Sequence, residues 1–513
     1  MMKEDILTRR HRIQRARWAK YMQDMSFYAL IAEVFLLVLS PSMAEAAMLI
    51  SAAALLMRRH FDNKFGFRAL PLDIPAGLFV VIGAASILIA PDRFKSFYNF
   101  YHLVGAYVLT YVLAGQIIRT PSELKTLVAA LGLSAVLVLL GGFWQFAFGI
   151  DTGDMKWVDG EAFPELKKRV FSSLENPNIL AGYLDAMICL AFGFFVKCGS
   201  RAKRIVLGCF LLALIACLVM TYARGAMLVI GVILVLYGLF QDWRILLACL
   251  LIGAGALLLD PMLSERLLSV FTKVDTSTEM RVALWESTLQ MIQDHPFLGI
   301  GWGAFYAVYP AYDFYLQGAD VLIVHAHNMY LNYMAEIGLM GAGAFFWFFF
   351  GALYLAVRMR FSSSKETSKT ELSPVKEESL EYRESPCENV LSSLPLWADF
   401  CQWEDARFLS GLRLGLILAF ASVALNGLTD DLLFNLPTSM LLWLFVGLTC
   451  SMNFLKMPKA AAAGSIACQD IGGGAEVSGE ESNKGKEYEE KETLGDDTPA
   501  DAADAGDDGD GGE

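Results

Sequence analysis

The sequence predicts an all-α, polytopic membrane protein, and three observations carry that expectation. Of the 513 residues, 55% are hydrophobic and 19% charged, with a mean hydropathy of +0.45, too apolar for a soluble chain of this length. Apolar runs of about 15 to 25 residues recur between short polar connections, the length that crosses a hydrocarbon core of about 30 Å. Strand-period alternation is absent from these runs, which argues against a β-barrel.

Taken in order, twelve spans are expected at roughly 24–39, 42–57, 72–90, 97–118, 124–148, 178–197, 204–222, 225–240, 244–259, 328–357, 408–426 and 437–455. The tenth is long enough to imply tilt or an interfacial extension. An apolar run from Ile205 to Phe240 is too long for one span. "TYARGAM" interrupts it, and Arg224 and Gly225 are expected to form a tight turn there.

Lys and Arg asymmetry sets the orientation. Seven basic residues precede the first span, and Arg58, Arg59, Lys64, Arg68, Arg119, Lys125, Lys197, Arg201, Lys203 and Arg204 follow spans 2, 4 and 6. These connections belong inside, and an even number of spans then puts both termini in the cytoplasm. The expected layout is a basic N-terminus (1–23), a membrane core (24–357), a polar cytoplasmic insert (358–407), two last helices (408–455) and a tail (456–513). The outside receives two sizeable segments, about 149–177 and 260–327.

The net charge of −13 suggests cationic partners until its distribution is examined. From Lys459 to Glu513 there are 16 acidic and 4 basic residues, so nearly all the excess sits in one tail. Rich in Gly, Ala, Asp and Glu, that tail is expected to be disordered. No nucleic-acid partner is indicated. Nine cysteines lie mostly within apolar runs without CxxC spacing, so neither a disulfide framework nor a zinc site is expected.

Few basic residues remain outside. Arg224 sits at the end of two apolar helices, and chemistry alone leaves it between a functional cation and a snorkelling helix-end marker. Arg281 opens "RVALWESTLQMIQDHPFLGIGWG", expected to be an amphipathic surface helix with Thr276 and Glu279 at capping-box spacing and Met280, Leu284, Leu289 and Ile292 as its stripe. Here an ordinary interfacial Arg and Trp anchor is the competing reading. The following Gly299, Gly301 and Gly303 read as a flexible re-entrant turn, since no strand or P-loop lysine accompanies them.

"VHAHNMYLNYMAEIGLMG", Val324 to Gly341, places two histidines ahead of the tenth span. Metal is disfavoured because His325 and His327 point differently on a helix and no clustered Cys or acidic residue completes a site. A histidine with an ordinary pKa near ~6.5 suits a base better. Asn328 and Asn332 are read as packing or ring-orienting groups. Glu336, nine residues on, falls on another helix face from His327. Arg169 precedes "VFSSLENPNILAGYL", in which Asn176 is the expected cap and Pro177 the first helical residue. Asp430 and Asp431, in the last outer loop, could bind a cation, but solvated loop carboxylates are the commoner case.

Together these segments resemble the O-antigen ligase and polymerase superfamily of bacterial envelope glycosyltransferases. His327, Asn328, nine residues, then Gly338 and Gly341 reproduce its H-N-x9-G-x-x-G signature. "TYARGAM" resembles its Ser-Arg-Gly turn, although Tyr-Ala replaces the usual small residues. The arginine, tryptophan and His-Pro-x-x-Gly-x-Gly of the Arg281 segment, and the Asn-Pro-Asn segment, complete the likeness over roughly Arg169 to Gly341.

The resemblance implies a GT-C-like fold and transfer of a glycan from undecaprenyl diphosphate to a hydroxyl of a lipid, glycan or protein acceptor. The reaction is expected at the outer face of the bacterial cytoplasmic membrane. His327 would be general base, Arg224 and Arg281 with Arg169 as a weaker third would hold the diphosphate, and Asn328, Gly338 and Gly341 would support them. No metal or other cofactor is implied. A polymerase of the same superfamily, and a transporter or lipid flippase, stand as alternatives. A transporter would favour ionisable groups near the bilayer midplane.

Overall fold

The computed structural model describes residues 2–149, 169–259, 276–313, 323–361 and 404–455. The described residues belong to one compact unit within Met1–Met457. The expected tail, most of the 358–407 insert and parts of both expected outer segments lie outside them.

Among the described residues all regular structure is helical. In order, the principal helices are α1 (Met2–Leu36), α2 (Pro41–Phe61), α3 (Asp73–Ser86), α4 (Arg93–Phe100), α5 (Ala106–Ile117), α6 (Pro121–Phe148) and α7 (Pro177–Lys197). They continue with α8 (Arg201–Met220), α9 (Arg224–Phe240), α10 (Trp243–Leu259), α11 (Thr276–Asp294), α12 (Met329–Arg358), α13 (Asp405–Asn426) and α14 (Leu436–Phe454). Six of these (α6, α7, α8, α12, α13 and α14) are long and apolar enough to cross a membrane, and shorter apolar helices cover 73–89, 106–117, 224–240 and 243–255.

Two expected spans are not continuous helices. The segment expected at 97–118 is divided by a π-helical turn, Tyr101–Gly105, between α4 and α5. Pro91 and Asp92 explain the upstream break, because Asp92 caps α4 by accepting the Lys95 N–H. The long tenth span is α12, and Gly338 interrupts it with φ 68°, ψ 178°. Residues 339–358 beyond the break measure about 30 Å, the thickness of the hydrocarbon core, and the nine residues before it form a separate helical piece.

Helices pack through small residues and rings, as expected where no hydrophobic effect separates helix from lipid. A Cβ on Gly193 of α7 would lie 2.4 Å from the Gly411 carbonyl of α13, so the two backbones meet directly. The same pair buries Asp185, which accepts from Asn426 Nδ2 at 2.9 Å. An aromatic centre joins Phe79, Tyr111, Phe348 and Trp443, with Phe348 and Trp443 centroids 4.2 Å apart.

The basic connections gather at one end. Arg119 Nη2 donates to the Gly66 carbonyl at 3.2 Å, Lys125 pairs with Asp405 at 2.7 Å, and Arg407 lies against Gly199. Helix α6 starts at this end with a Thr120/Glu123 capping box and runs about 42 Å. Gln145, near its far end, binds Ser172. The motif segments are therefore at the opposite end from the basic connections.

Candidate active site

Local backbone geometry singles out the motif segments first. Among the described residues the non-glycine residues with positive φ are Ser172, Glu175, Tyr222 and His327, and each lies in one of the segments quoted above. Such conformations cost roughly 1–3 kcal/mol each and persist where surrounding structure imposes them.

His327 directly precedes Asn328, the cap of α12. Asn328 Oδ1 accepts the Leu331 N–H at 3.0 Å while its Nδ2 donates to the Leu428 carbonyl at 2.9 Å. The cap thus ties α12 to the 427–431 turn after α13, and Met329 N–H adds a bond to the Gly427 carbonyl at 2.8 Å. This tie brings His327 Nδ1 to 3.0 Å from Asp430 Oδ1. Asp430 also accepts the Asp431 N–H at 2.9 Å. Burial opposes ionisation of Asp430, but the hydrogen bond and charge of His327, helped by His325 and Arg281, hold its carboxyl at about 2. It is a carboxylate at neutral pH, fixing His327 so that Nε2 is the remaining proton acceptor.

Both aspartates differ from the solvated loop carboxylates expected. Asp431 is 6% exposed, and burial, then the neighbouring Asp430, pushes it up to about 7. The Asp430 side chain is 18% exposed. Sequence reasoning missed the pairing because 103 residues separate Asp430 from His327; the consecutive carboxylates were the signal available.

His325 is placed too. Its Nδ1 accepts the His327 N–H at 3.1 Å, and its ring packs on Phe434 with centroids 4.9 Å apart. Burial, then His327, pushes the imidazole down to about 3. His325, His327 and Asp430 bring one ligand atom each within 4.8 Å of one another. The expectation that no acidic residue completes a metal-capable set is thereby corrected: the third member comes from the far end of the chain.

The arginines approach from separate elements. Arg169 donates from Nε to the Thr221 carbonyl and from Nη2 to Asn178 Oδ1, both at 2.7 Å. Asn178 Nδ2 in turn reaches Asp430 Oδ2 at 3.5 Å, so the "ENPN" segment links Arg169 to the His327 partner. Asn176 caps α7 and Pro177 is its first residue, as expected. Tyr222 supplies the positive φ of the "TYARGAM" turn, and Arg224 opens α9 instead of forming the turn. Its cap, Ala223, makes no side-chain cap hydrogen bond. Gly225 of the same turn faces Thr429, since a Cβ there would lie 3.6 Å from Thr429 Oγ1. Arg281, on α11, is close enough to act electrostatically on both His325 and Asp430. The buried face of α11 is Leu284, Ser287, Thr288 and Met291, rotated from the expected stripe, in which Met280 and Leu289 are exposed.

The "HPFLGIGWG" turn is pinned, contrary to the flexible turn expected. It crosses α12 at the Gly338 break, where Ile300 N–H donates to the Ala335 carbonyl at 2.8 Å, Gly301 N–H to Glu336 at 3.0 Å and Leu339 N–H to Pro296 at 2.8 Å. Glu336 Oε2 accepts the Gly303 N–H at 3.0 Å. Gly338 is required because a Cβ there would stand 2.1 Å from the Phe297 carbonyl. Gly341 packs one turn on, its notional Cβ 2.8 Å from Ile337.

No curated protein matches the chain. Its residues 209–346, which include Arg224, Arg281, His327, Asn328, Gly338 and Gly341, match the family model described as O-Antigen ligase, in agreement with the family its motifs resemble.

Proposed function

We propose that the protein is an O-antigen ligase-like glycosyltransferase, moving a glycan from undecaprenyl diphosphate to an acceptor hydroxyl at the outer face of the bacterial cytoplasmic membrane. The observation that carries this reading is the His327–Asp430 pair at 3.0 Å, set among elements that bring arginines to the same end of the bundle.

In the proposed reaction, His327 Nε2 takes the proton of the acceptor hydroxyl as its oxygen attacks the anomeric carbon. The bond from that carbon to the diphosphate oxygen breaks, and undecaprenyl diphosphate leaves with the electron pair. Arg224, at the start of α9, and Arg281 stabilise the charge that grows on the leaving group. Arg169, already bonded to Thr221 and Asn178, suits a positioning part better than that of a third diphosphate ligand. The gathered basic connections support a twelve-span core with both termini cytoplasmic.

The test is reconstitution of the full chain in proteoliposomes with a lipid-linked glycan, candidate acceptors and chelator. One added glycan block supports ligation and a ladder points to polymerisation; His327→Ala should abolish either. Passage of the lipid-linked glycan across the bilayer without transfer would replace the enzyme by a transporter. Activity lost in chelator and restored by a divalent cation would instead assign His325, His327 and Asp430 to a metal.

A further inference from the structure

Behind the His327–Asp430 pair lies a cavity of about 210 Å³, lined among others by Trp302, Tyr333, Glu336, Asn99, Asp431 and Val324. It is short of the roughly 300 Å³ at which pockets for drug-sized ligands begin, which suits a single ring. The catalytic pair forms one side of its neighbourhood: Asp431 lines the cavity and follows Asp430, while Phe434, also in the lining, carries the His325 ring.

Its chemistry is mixed in a particular way. Trp302, Tyr306 and Tyr333 offer aromatic surface, and Glu336, Asp431, Asn99 and Asn332 offer polar groups. Trp302 Nε1 is buried and has no hydrogen-bond partner among the described residues, and Glu336 Oε1 is buried with only the Phe305 amide nearby, outside hydrogen-bond geometry. Buried polar atoms in that state cost free energy unless a ligand or water meets them. A lipid tail cannot meet them. A phosphate would have to share the cavity with the Glu336 and Asp431 carboxyls, and the lining ammonium of Lys95 already sits 3.7 Å from the Tyr306 ring centroid. Hydroxyl groups on an apolar-faced ring satisfy both requirements.

We propose that this cavity is a carbohydrate subsite that receives one sugar ring of a substrate, holding it by Glu336, Asp431 and Trp302 beside the His327 base. The inference rests on the glycosyltransferase reading for its place in the reaction, although sugar binding itself does not require that reading. The ring could come from the acceptor or from the lipid-linked donor, because both present the same hydroxyl chemistry.

The experiment is saturation-transfer NMR on the full chain in nanodiscs, carrying His327→Ala to prevent turnover. Two probes are used separately, a soluble acceptor oligosaccharide and a short-prenyl glycosyl diphosphate. One probe should show saturation of one ring, which identifies the source. Glu336→Gln and, independently, Val324→Trp, which fills the cavity from its loop side, should each weaken that binding roughly ten-fold. Each variant is accepted only if it elutes as a monodisperse species. Unchanged binding in either folded variant, or no ring saturation with either probe, overturns the subsite. Cavity-dependent binding without any transfer by the wild-type chain would defeat the enzyme reading and leave the subsite standing; transfer without cavity-dependent binding would do the reverse.

Discussion

His327 combines a left-handed backbone, φ 47°, with a carboxylate on Nδ1, and the two are linked. Extended geometry at this position would carry the ring away from the 427–431 turn that supplies Asp430. Asp430→Asn keeps the side-chain shape but removes the charge that stabilises an imidazolium. We expect kcat to fall on the order of 10²-fold with little change in acceptor KM; wild-type kcat would reduce Asp430 to a packing residue. His325 gives a prediction in pH. Its folded value near 3 is below the ordinary ~6.5 of the unfolded chain, so the unfolded state binds the extra proton between them. Its contribution to stability is complete above about 6.5 and declines as pH falls toward 3. Melting temperature should therefore drop from pH 7 to pH 5, and His325→Gln should flatten that slope; parallel slopes would show that the proton goes elsewhere.

At the scale of elements, the Gly338 break decides where the site stands. The nine residues before it, capped by Asn328, carry Asn332 and Glu336, and the turn that crosses it carries Gly299 to Gly303. Gly338→Ala would add a Cβ 2.1 Å from a carbonyl oxygen at φ 68°, a conformation almost reserved for glycine. We expect a loss of at least roughly 1–3 kcal/mol and impaired transfer, read as a lower melting temperature with reduced kcat. An unchanged melting curve would mean that the break is dispensable. Arg413 of α13 acts at the element scale too: it donates from Nε and Nη2 to the Ala356 and Val357 carbonyls, both at 2.8 Å. It caps the C-terminal end of α12, a position that suits a cation.

For the whole molecule, the separation of basic connections from motif segments predicts sidedness. Single cysteines placed at Asn63 and at Thr429 in a cysteine-free background should label from opposite faces of intact cells, Thr429 from outside. Labelling of both from one face would contradict the positive-inside assignment. The first unit ends at Met457, and a chain ending there should retain its melting temperature and transfer activity. A loss of either would give the acidic tail a part in the protein's work.

The sequence by itself determined the helical class, the apolar runs that become the six longest apolar helices, the cap at Asn176, and the segments in which candidate chemistry lies. These follow from composition, hydrophobic run length and local hydrogen bonding, all of which operate within a few residues. It also marked His327, Arg224 and Arg281, because the motifs containing them are contiguous. Only the tertiary structure paired His327 with Asp430, joined Arg169 through Asn178 to that pair, and locked the glycine turn into the α12 break. Those contacts join residues up to 252 positions apart, and they arise from how helices pack, which no local pattern encodes. The same packing buried Asp431 and Asp185, whose neighbours in sequence give no sign of their surroundings.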